Sequence, residues 1–403
     1  MKKTGKPKHI ALIVSAFPPL NISGAVQLRD LSQEFVRQGY CPTVIIPYND
    51  IEKPWKLENA DGVQVLRLKT PKIRDIGYVR RTLGELVLSF MMLRNIRKSP
   101  LCNMIWDGIV WYSPTIFFGP LVKVLKKKCE CQSYLIVRDI FPEWAADLGL
   151  MSRGIIYQFF KFVEHYQYSV ANVIGVQTAA NLSYFDQWAK QDGRRIEVLH
   201  NWLSNAPNVG SSFSVSRSTL AGRLIFVYAG NMGIAQGMEI LIDLAESLCN
   251  RSDIGFLFVG RGSAIEQFYT DTKKRGLNNV LFHDEIPSSE IPGLLYQCHV
   301  GLVALDQRHK THNIPGKFLS YMQAGLPVLA TINQGNDLGK LIKNAGVGRV
   351  CNDNSPDTLK QLAEELADEC SSEINYAEKC HALSEKLFSP NTTVNQIVSA
   401  LEI

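Results

Sequence analysis

Short runs of aliphatic and β-branched residues alternate with amphipathic helical patterns along almost all of this 403-residue chain. Near-continuous apolar strands that alternate with helices are typical of parallel sheets covered by helices on both faces. The alternation occurs in two series, one before and one after a stretch at residues 204–222 that is rich in Ser, Asn and Gly. The pattern predicts an α/β protein with two Rossmann-like, doubly wound lobes that face a cleft.

The predicted domain boundaries follow from this division. We expect an N-terminal lobe at residues 1–203, a linker at 204–222 and a C-terminal lobe at 223–386. The composition of residues 204–222 is that of a linker. We expect residues 387–403 to form a helix that returns to the N-terminal lobe.

The two halves of the chain carry opposite net charge. Residues 1–205 hold 27 Lys and Arg against 17 Asp and Glu, whereas residues 206–403 hold 16 against 21. This asymmetry predicts that the first half binds something anionic. Nucleic acid is a poor candidate, because the sequence has no pattern of interleaved basic and aromatic residues.

Cysteine spacing argues against a disulfide-rich or zinc-binding protein, and hydropathy argues against a membrane-spanning one. The nine cysteines are scattered singly, which disfavours a disulfide framework or a zinc site and is typical of reduced thiols in a cytosolic protein. No uncharged apolar run reaches the roughly 18–20 residues that a membrane-spanning helix needs. The basic start of the chain leads into an apolar run that is more typical of a first strand than of a secretory signal.

A loop that contains Gly24 follows the first predicted strand and leads into an amphipathic helix. Glycine lets a ligand approach the backbone closely, and the free N–H groups at a helix start can bind an anion. The loop lacks G-x-G-x-x-G, which disfavours a nicotinamide cofactor. We interpret Gly24 as a residue near a phosphate or a sugar, with an ordinary strand-to-helix turn as the alternative.

Three stretches resemble one family of enzymes: "RDIFPEWAADLGL", "YAGNMGIAQGMEIL" and "IPGKFLSYMQAGLPVLA". They are similar to the family-four-like GT-B glycosyltransferases that act in bacterial O-antigen or capsule synthesis, and among these to L-fucosamine (N-acetyl-L-fucosamine) transferases. The resemblance implies retaining transfer, without metal or cofactor, from a UDP-sugar to an undecaprenyl-pyrophosphate-linked saccharide. It also implies a cytoplasmic enzyme, peripheral on the inner face of the cytoplasmic membrane.

The resemblance also implies a set of donor-binding residues, in which this chain departs from the family pattern. Asn231 and Gln236 stand where two basic residues are usual, and His312 and Ser320 stand where two glutamates are usual. Lys317, at the start of a predicted helix, would supply charge that the other positions lack. The predicted donor-binding residues are Gly24, Gly230, Asn231, Gln236, Arg261, Ile286, Gly316, Lys317 and Ser320.

The motif "RDIFPEW" follows a predicted strand end, where parallel sheets bind their ligands. Arg138 stands where many relatives carry His, and we expect it on the acceptor side. The candidate catalytic residues are Asp139, Glu143 and His312, of which Asp139 or Glu143 could position the acceptor hydroxyl. A purely structural role for Glu143 stays open. No D-x-D motif is present, so a metal-bridged diphosphate is not indicated.

The segment from Arg74 to Lys98 has an apolar stripe at helical spacing and a surplus of basic residues. A basic amphipathic helix can lie on an anionic membrane surface. Packing of the stripe into the core is the alternative. The apolar stripe consists of Ile76, Val79, Leu83, Leu86, Phe90 and Leu93. The predicted membrane-contacting residues are Arg80, Arg81, Phe90, Arg94 and Arg97.

Two other functions remain open at this point. A sugar-nucleotide 2-epimerase of GT-B fold would need histidines and carboxylates around the sugar, and His283 and His312 could serve. A non-catalytic sugar-nucleotide-binding partner would explain the absence of both usual glutamates.

Overall fold

The structure is a computed structural model in which the described residues form two compact units. The first unit contains the chain up to Trp202 together with Pro390–Ile403, and the second contains Leu203–Ser389. The description covers residues 6–403 except positions 21, 148, 191–193, 206, 234–236, 306–313, 334 and 373–374.

A sheet of eight described strands forms the centre of the first unit, in the order β3-β4-β2-β1-β5-β6-β7-β8. Neighbouring strands are parallel except β3, which is antiparallel to β4. The strands are β1 His9–Ile13, β2 Cys41–Tyr48, β3 Trp55–Ala60, β4 Val63–Lys69, β5 Gly108–Tyr112, β6 Gln132–Val137, β7 Val173–Val176 and β8 Arg195–Val198.

The second unit has a parallel sheet of six described strands, in the order β11-β10-β9-β12-β13-β14. Chain order runs outward from β9 in one direction and then from β12 in the other, which is the doubly wound arrangement. The strands are β9 Leu224–Ala229, β10 Ile254–Val259, β11 Val280–His283, β12 Val300–Ala304, β13 Val328–Thr331 and β14 Gly348–Cys351.

Helices cover both faces of each sheet, as near-continuous apolar strands require. On the first sheet, α1 and α14 pack on one face, and α2, α3 and α5 pack on the other. The described α-helices are α1 Ser23–Arg37, α2 Tyr78–Ile96, α3 Gly119–Cys129, α4 Glu143–Asp147, α5 Ile155–Val170, α6 Asp186–Ala189, α7 Glu239–Ser247, α8 Ile265–Lys274, α9 Ile291–Leu295, α10 Gly316–Gln323, α11 Asp337–Ala345, α12 Pro356–Cys370, α13 Tyr376–Phe388 and α14 Pro390–Leu401. The described helices include none that is both long enough and apolar enough to cross a bilayer.

Two elements were not anticipated from the sequence. Strand β3 is an edge strand with polar residues, and it joins β4 through Asp61 and Gly62, which both have positive φ (51° and 83°). An Asp-Gly pair of this kind is a strong hairpin signal, so the turn was readable. Helix α13 was the other omission.

The stretch between the two sheets packs against the second unit. Val215 is buried in its core, and its backbone N–H donates to Oε1 of Gln297 at 2.9 Å. The backbone N–H of Ser212 donates to the carboxylate of Glu290 at 2.5 Å. The Ser-rich composition therefore belongs to a chain segment that is held in place over part of its length.

Candidate active site

The second sheet has its topological switch point between β9 and β12. These two strands pair only through Phe226 with Val300 and Val227 with Gly301. Beyond these pairs the strands have no backbone pairing with each other. Crevices of this kind, outside the carboxyl ends of parallel strands, are where doubly wound sheets bind ligands.

The hydroxyl of Tyr321, on α10, occupies the space where the two strands separate. Its oxygen accepts a hydrogen bond from the backbone N–H of Ala229 at 3.2 Å. It lies 3.1 Å from the carbonyl oxygen of Val227 and 3.3 Å from that of Leu302, to either of which it can donate. Tyr321 thus satisfies buried backbone groups that have lost their partners in the sheet and anchors α10 to the switch point.

Lys317 lies one helical turn before Tyr321, at the start of α10. Its Nζ atom is 3.2 Å from the centre of the ring of Tyr228, the second-last residue of β9. Among the described residues, the Lys317 ammonium has no hydrogen bond and no ion pair. Burial lowers the pKa of this lysine well below its ordinary value. The amino group is thus held against an aromatic face with no carboxylate partner among the described residues.

Glycines bring the loops after β9 and β10 into direct contact. A Cβ atom on Gly260 would lie 2.0 Å from the carbonyl oxygen of Gly230, and one on Gly262 would lie 2.1 Å from that of Met232. The backbone N–H of Gly230 donates to Val259 at 2.9 Å. Gly230 and Gly260 also have positive φ, at 139° and 149°, which other residues rarely adopt. Only glycine at these positions allows the two loops to pack this closely beside Lys317.

The other predicted donor residues have different surroundings. Asn231 is exposed, and its carbonyl oxygen accepts a hydrogen bond from the Tyr228 hydroxyl at 2.8 Å. Arg261 is exposed, and its guanidinium forms an ion pair with Glu285 at 3.2 Å. Ile286 is half-buried against the core of the second unit.

The remaining positions of the donor prediction lie on α10 or outside the described chain. Gly316 is exposed and Ser320 is half-buried, and both belong to the same helix as Lys317. Gln236 and His312 lie outside the described residues. Gly24 is half-buried in the first turn of α1, and a Cβ atom there would be an ordinary 3.8 Å from the Tyr112 hydroxyl.

Arg138 follows β6 in the first unit and is buried. Its guanidinium donates to the carbonyl oxygens of Leu199 at 3.0 Å and His200 at 3.5 Å. The guanidinium carbon is 4.7 Å from the centre of the Trp202 ring. Burial lowers the pKa of Arg138. Two of its nitrogens are therefore committed to the backbone where the chain leaves the first sheet.

Asp139 and Glu143, four residues apart, differ sharply in environment. Asp139 is exposed, and its carboxylate has no hydrogen bond or ion pair within the described part of the chain. Glu143 accepts hydrogen bonds from the Tyr157 hydroxyl at 2.7 Å and pairs with Lys161 at 2.9 Å. Burial would raise the pKa of Glu143, but the contacts with Tyr157 and Lys161 outweigh it and lower that pKa. Asp139 is free to bind a ligand, whereas Glu143 ties α4 to α5.

The residues predicted to contact a membrane lie on α2 or, in the case of Arg97, directly after it. Arg80, Arg94 and Arg97 are exposed, as is the Phe90 side chain. Arg81 instead forms an ion pair with Glu85 at 3.3 Å. Val79, Leu83, Leu86 and Phe90 of the predicted stripe are exposed, so the core-packing alternative is wrong for these four residues. Leu93 packs partly against the core.

Over the described ranges, no group of three or more His, Cys, Asp or Glu side chains converges as metal ligands do.

The sequence analysis did not identify Tyr228 and Tyr321, which position Lys317. The spacing of Tyr321, four residues after Lys317, was the available signal, since it places both residues on one side of α10.

One protein-family model matches the part of the chain that contains this site. Residues 223–369 match the family model of the group 1 glycosyl transferases. This group 1 region contains β9 to β14 and with them Tyr228, Gly230, Lys317 and Tyr321.

Two named proteins are similar to the chain. WbjE of Pseudomonas aeruginosa, provisionally named a glycosyltransferase, is 24% identical over 240 residues, which are 58% of this chain and 59% of WbjE. WcaI of Escherichia coli K12, provisionally named a colanic acid biosynthesis glycosyl transferase, is 23% identical over 267 residues, or 61% of this chain and 62% of WcaI. The chain thus matches about three-fifths of the length of each relative.

Solved structures share the fold over almost the whole chain. HepE of Anabaena, solved in complex with UDP, superposes with a TM-score of 0.65 at 15% identity and covers 98% of this chain and 99% of its own. WaaG, a glycosyltransferase involved in lipopolysaccharide biosynthesis, has a TM-score of 0.63 at 14% identity and covers 97% of this chain and 99% of its own. The two parallel-sheet, Rossmann-like lobes therefore match those of GT-B glycosyltransferases.

Proposed function

We propose that this protein is a glycosyltransferase that takes a sugar from a UDP-sugar bound at the carboxyl edge of the second sheet. The observation that carries the proposal is the amino group of Lys317, which lies at the switch point inside the group 1 region and has no hydrogen bond or ion pair with any described residue. The complex of HepE with UDP supports a uridine diphosphate as the bound group.

The leaving diphosphate needs positive charge. In its protonated form Lys317 supplies positive charge close to the Tyr228 ring, and the first backbone N–H groups of α10 add the partial charge of a helix start. Donors that are already in place when charge develops on the phosphate stabilise the transition state without further reorganisation. The exposed Arg261 would have to exchange Glu285 for phosphate in order to contribute.

We propose retaining transfer that needs no metal. The bond from the anomeric carbon to the phosphate oxygen breaks, a bond from that carbon to the acceptor oxygen forms on the same face, and the acceptor proton passes to the departing phosphate. No protein nucleophile is required. Asp139, whose exposed carboxylate has no partner among the described residues, is our candidate for orienting the acceptor hydroxyl through a hydrogen bond.

For the acceptor we propose a lipid-pyrophosphate-linked saccharide, used in O-antigen or capsule synthesis by a protein peripheral on the inner face of the cytoplasmic membrane. The positive net charge of residues 1–205 and the polysaccharide-related name of WcaI support this. For the sugar we propose N-acetyl-L-fucosamine, which rests on the resemblance of the sequence motifs alone.

A donor screen tests the function directly. The purified protein is mixed with UDP-, GDP- and dTDP-sugars and a short-chain lipid-pyrophosphate saccharide, and products are identified by mass. We expect the acceptor to gain one sugar and UDP to be released. Recovery of the UDP-sugar changed only at C2 would support the epimerase instead, and donor binding without turnover would support a non-catalytic partner.

A further inference from the structure

Helix α5 carries an exposed apolar stripe that the sequence analysis did not single out. Ile155 is 90% exposed and Phe162 is 73% exposed. With the exposed Phe159 and the half-buried Tyr166, which packs partly on the core, they form a series spaced by four, three and four residues, which lies along one side of a helix. The same spacing occurs on α2 in Val79, Leu83, Leu86 and Phe90, all of them exposed.

The two stripes lie on the same side of the first unit. Helices α2, α3 and α5 share one core beneath them, to which they contribute Leu88, Leu121 and Tyr168. A chain of contacts links α2 to α5, because Ser89 Oγ donates to the carbonyl oxygen of Phe117 at 2.6 Å and the Phe117 ring packs on Phe160. The sides of these helices that face away from the shared core therefore form one outer layer.

The charges in this layer are positive. Helix α3, which contacts both neighbours, exposes Lys123, Lys127 and Lys128 and contains no acid. The acids of the flanking helices are Glu85 and Glu164, both buried and paired with Arg81 and Lys161. The outer layer thus presents two apolar stripes with lysines between them.

We infer that the outer faces of α2, α3 and α5 together form a docking face for an anionic lipid bilayer, with α5 as a second point of insertion. This deepens the proposed membrane location and rests on it. Apolar side chains of an interfacial helix enter the acyl boundary while neighbouring lysines and arginines bind anionic headgroups. A complementary protein surface would need acids opposite the lysines and apolar groups opposite both stripes.

Insertion through two helices constrains the orientation of the first unit more than insertion through one helix. A single amphipathic helix can roll about its axis on the surface. Two stripes on helices of one rigid layer define a plane, so they fix the orientation of the first unit against the membrane. Loss of the α5 stripe should therefore weaken binding even when α2 is intact.

Co-sedimentation with vesicles tests the inference, with full-length protein and vesicles of phosphatidylglycerol and phosphatidylcholine in equal amounts. We expect Phe162→Ser to weaken binding about tenfold through lost apolar burial. We expect Lys123→Glu with Lys127→Glu to weaken it about 25-fold, at about 1 kcal/mol for each lysine. Both sets of positions are exposed, so the fold is preserved.

Matched controls place the same changes on the second unit. Tyr296 is 79% exposed, so Tyr296→Ser removes a comparable aromatic group. Lys273→Glu with Lys274→Glu reverses two exposed lysines of α8. Neither control should change binding, and pure phosphatidylcholine vesicles should bind the wild type more weakly.

The possible outcomes separate this inference from the proposed function. Absence of vesicle binding by the wild type, or equal binding by wild type and Phe162→Ser, overturns the docking face. A dimer that Phe162→Ser converts to a monomer, without vesicle binding, assigns the face to a second copy of the chain and also overturns it. UDP release with a soluble short-chain acceptor is measured on the same variants. Absence of UDP release by the wild type would contradict the proposed function. UDP release without vesicle binding would contradict only the docking face.

Discussion

The ammonium nitrogen of Lys317 lies 3.2 Å from the centre of the Tyr228 ring, at the point where the second sheet reverses its strand order. The ring shields the cation from water on one side. The hydroxyl of the same tyrosine binds the loop at Asn231, so one residue positions both the lysine and the glycine loop beside it.

Replacement of Lys317 by Ala should weaken UDP binding and turnover by about 30- to 100-fold, because a charged hydrogen-bond donor to phosphate contributes roughly 2–3 kcal/mol. Calorimetric titration with UDP and steady-state rates provide the measurement. The exposed Lys340 in the same unit serves as the control, and Lys340→Ala should behave as wild type. Activity of Lys317→Ala within a few-fold of wild type would rule out the assignment.

The lowered pKa of Lys317 predicts a pH dependence. Because the native pKa lies below the ordinary 10.5, the unfolded chain binds more protons between the two values, so the free energy of unfolding should rise with pH there. UDP affinity should fall over the same range as the ammonium loses its charge. Urea titrations at several pH values below 10.5 should show that Lys317→Met removes this part of the rise and Lys340→Met does not. Identical pH profiles for wild type and Lys317→Met would contradict the prediction.

Removal of one oxygen in Tyr321→Phe should destabilise the second unit by about 2 kcal/mol, because the buried N–H of Ala229 and a facing carbonyl lose their partner. UDP affinity should fall as well, since α10 carries Lys317. Denaturant unfolding and UDP titration are the measurements. The exposed Tyr296→Phe variant should leave both unchanged. Unaltered stability in Tyr321→Phe would mean that the backbone groups find other partners.

Asp139→Asn should lower kcat by about 100-fold without changing UDP affinity or the unfolding transition, because its exposed carboxylate has no partner within the described residues. Rates at saturating donor and acceptor measure the first effect, and a melting curve measures the last. A lower melting temperature with unchanged kcat would assign Asp139 to structure.

Glu143→Gln should have the opposite signature, with stability lowered by about 2 kcal/mol and kcat of the folded enzyme retained, because Glu143 joins α4 to Tyr157 and Lys161. Its native pKa is lowered, so its contribution to stability is present above the unfolded pKa and is lost as pH falls through the native one. The free energy of unfolding of the variant should therefore fall less steeply than that of the wild type as the pH is lowered. A drop in kcat with unchanged melting would return Glu143 to the candidate catalytic residues.

Much of the fold was predictable, because strand and helix periodicities are local. The doubly wound sheets follow from short apolar strands that alternate with helical patterns. Edge strand β3 was missed because its residues are polar, as an exposed edge allows. Helix α2 shows where periodicity is insufficient, since Leu88 and Met92 on the opposite side of the stripe are the residues that pack into the core.

The sequence by itself determined that two parallel α/β lobes would form and that a lysine would stand at the start of a helix before a buried strand. Tertiary structure alone decided what surrounds that lysine. Tyr321 reaches a backbone nitrogen 92 residues away, and Tyr228 meets Lys317 across the switch point. Such contacts depend on strand order and on the direction of each side chain, which spacing along the chain does not specify. For the same reason Asp139 and Glu143, neighbours in one motif, have different environments, one exposed and one held between helices.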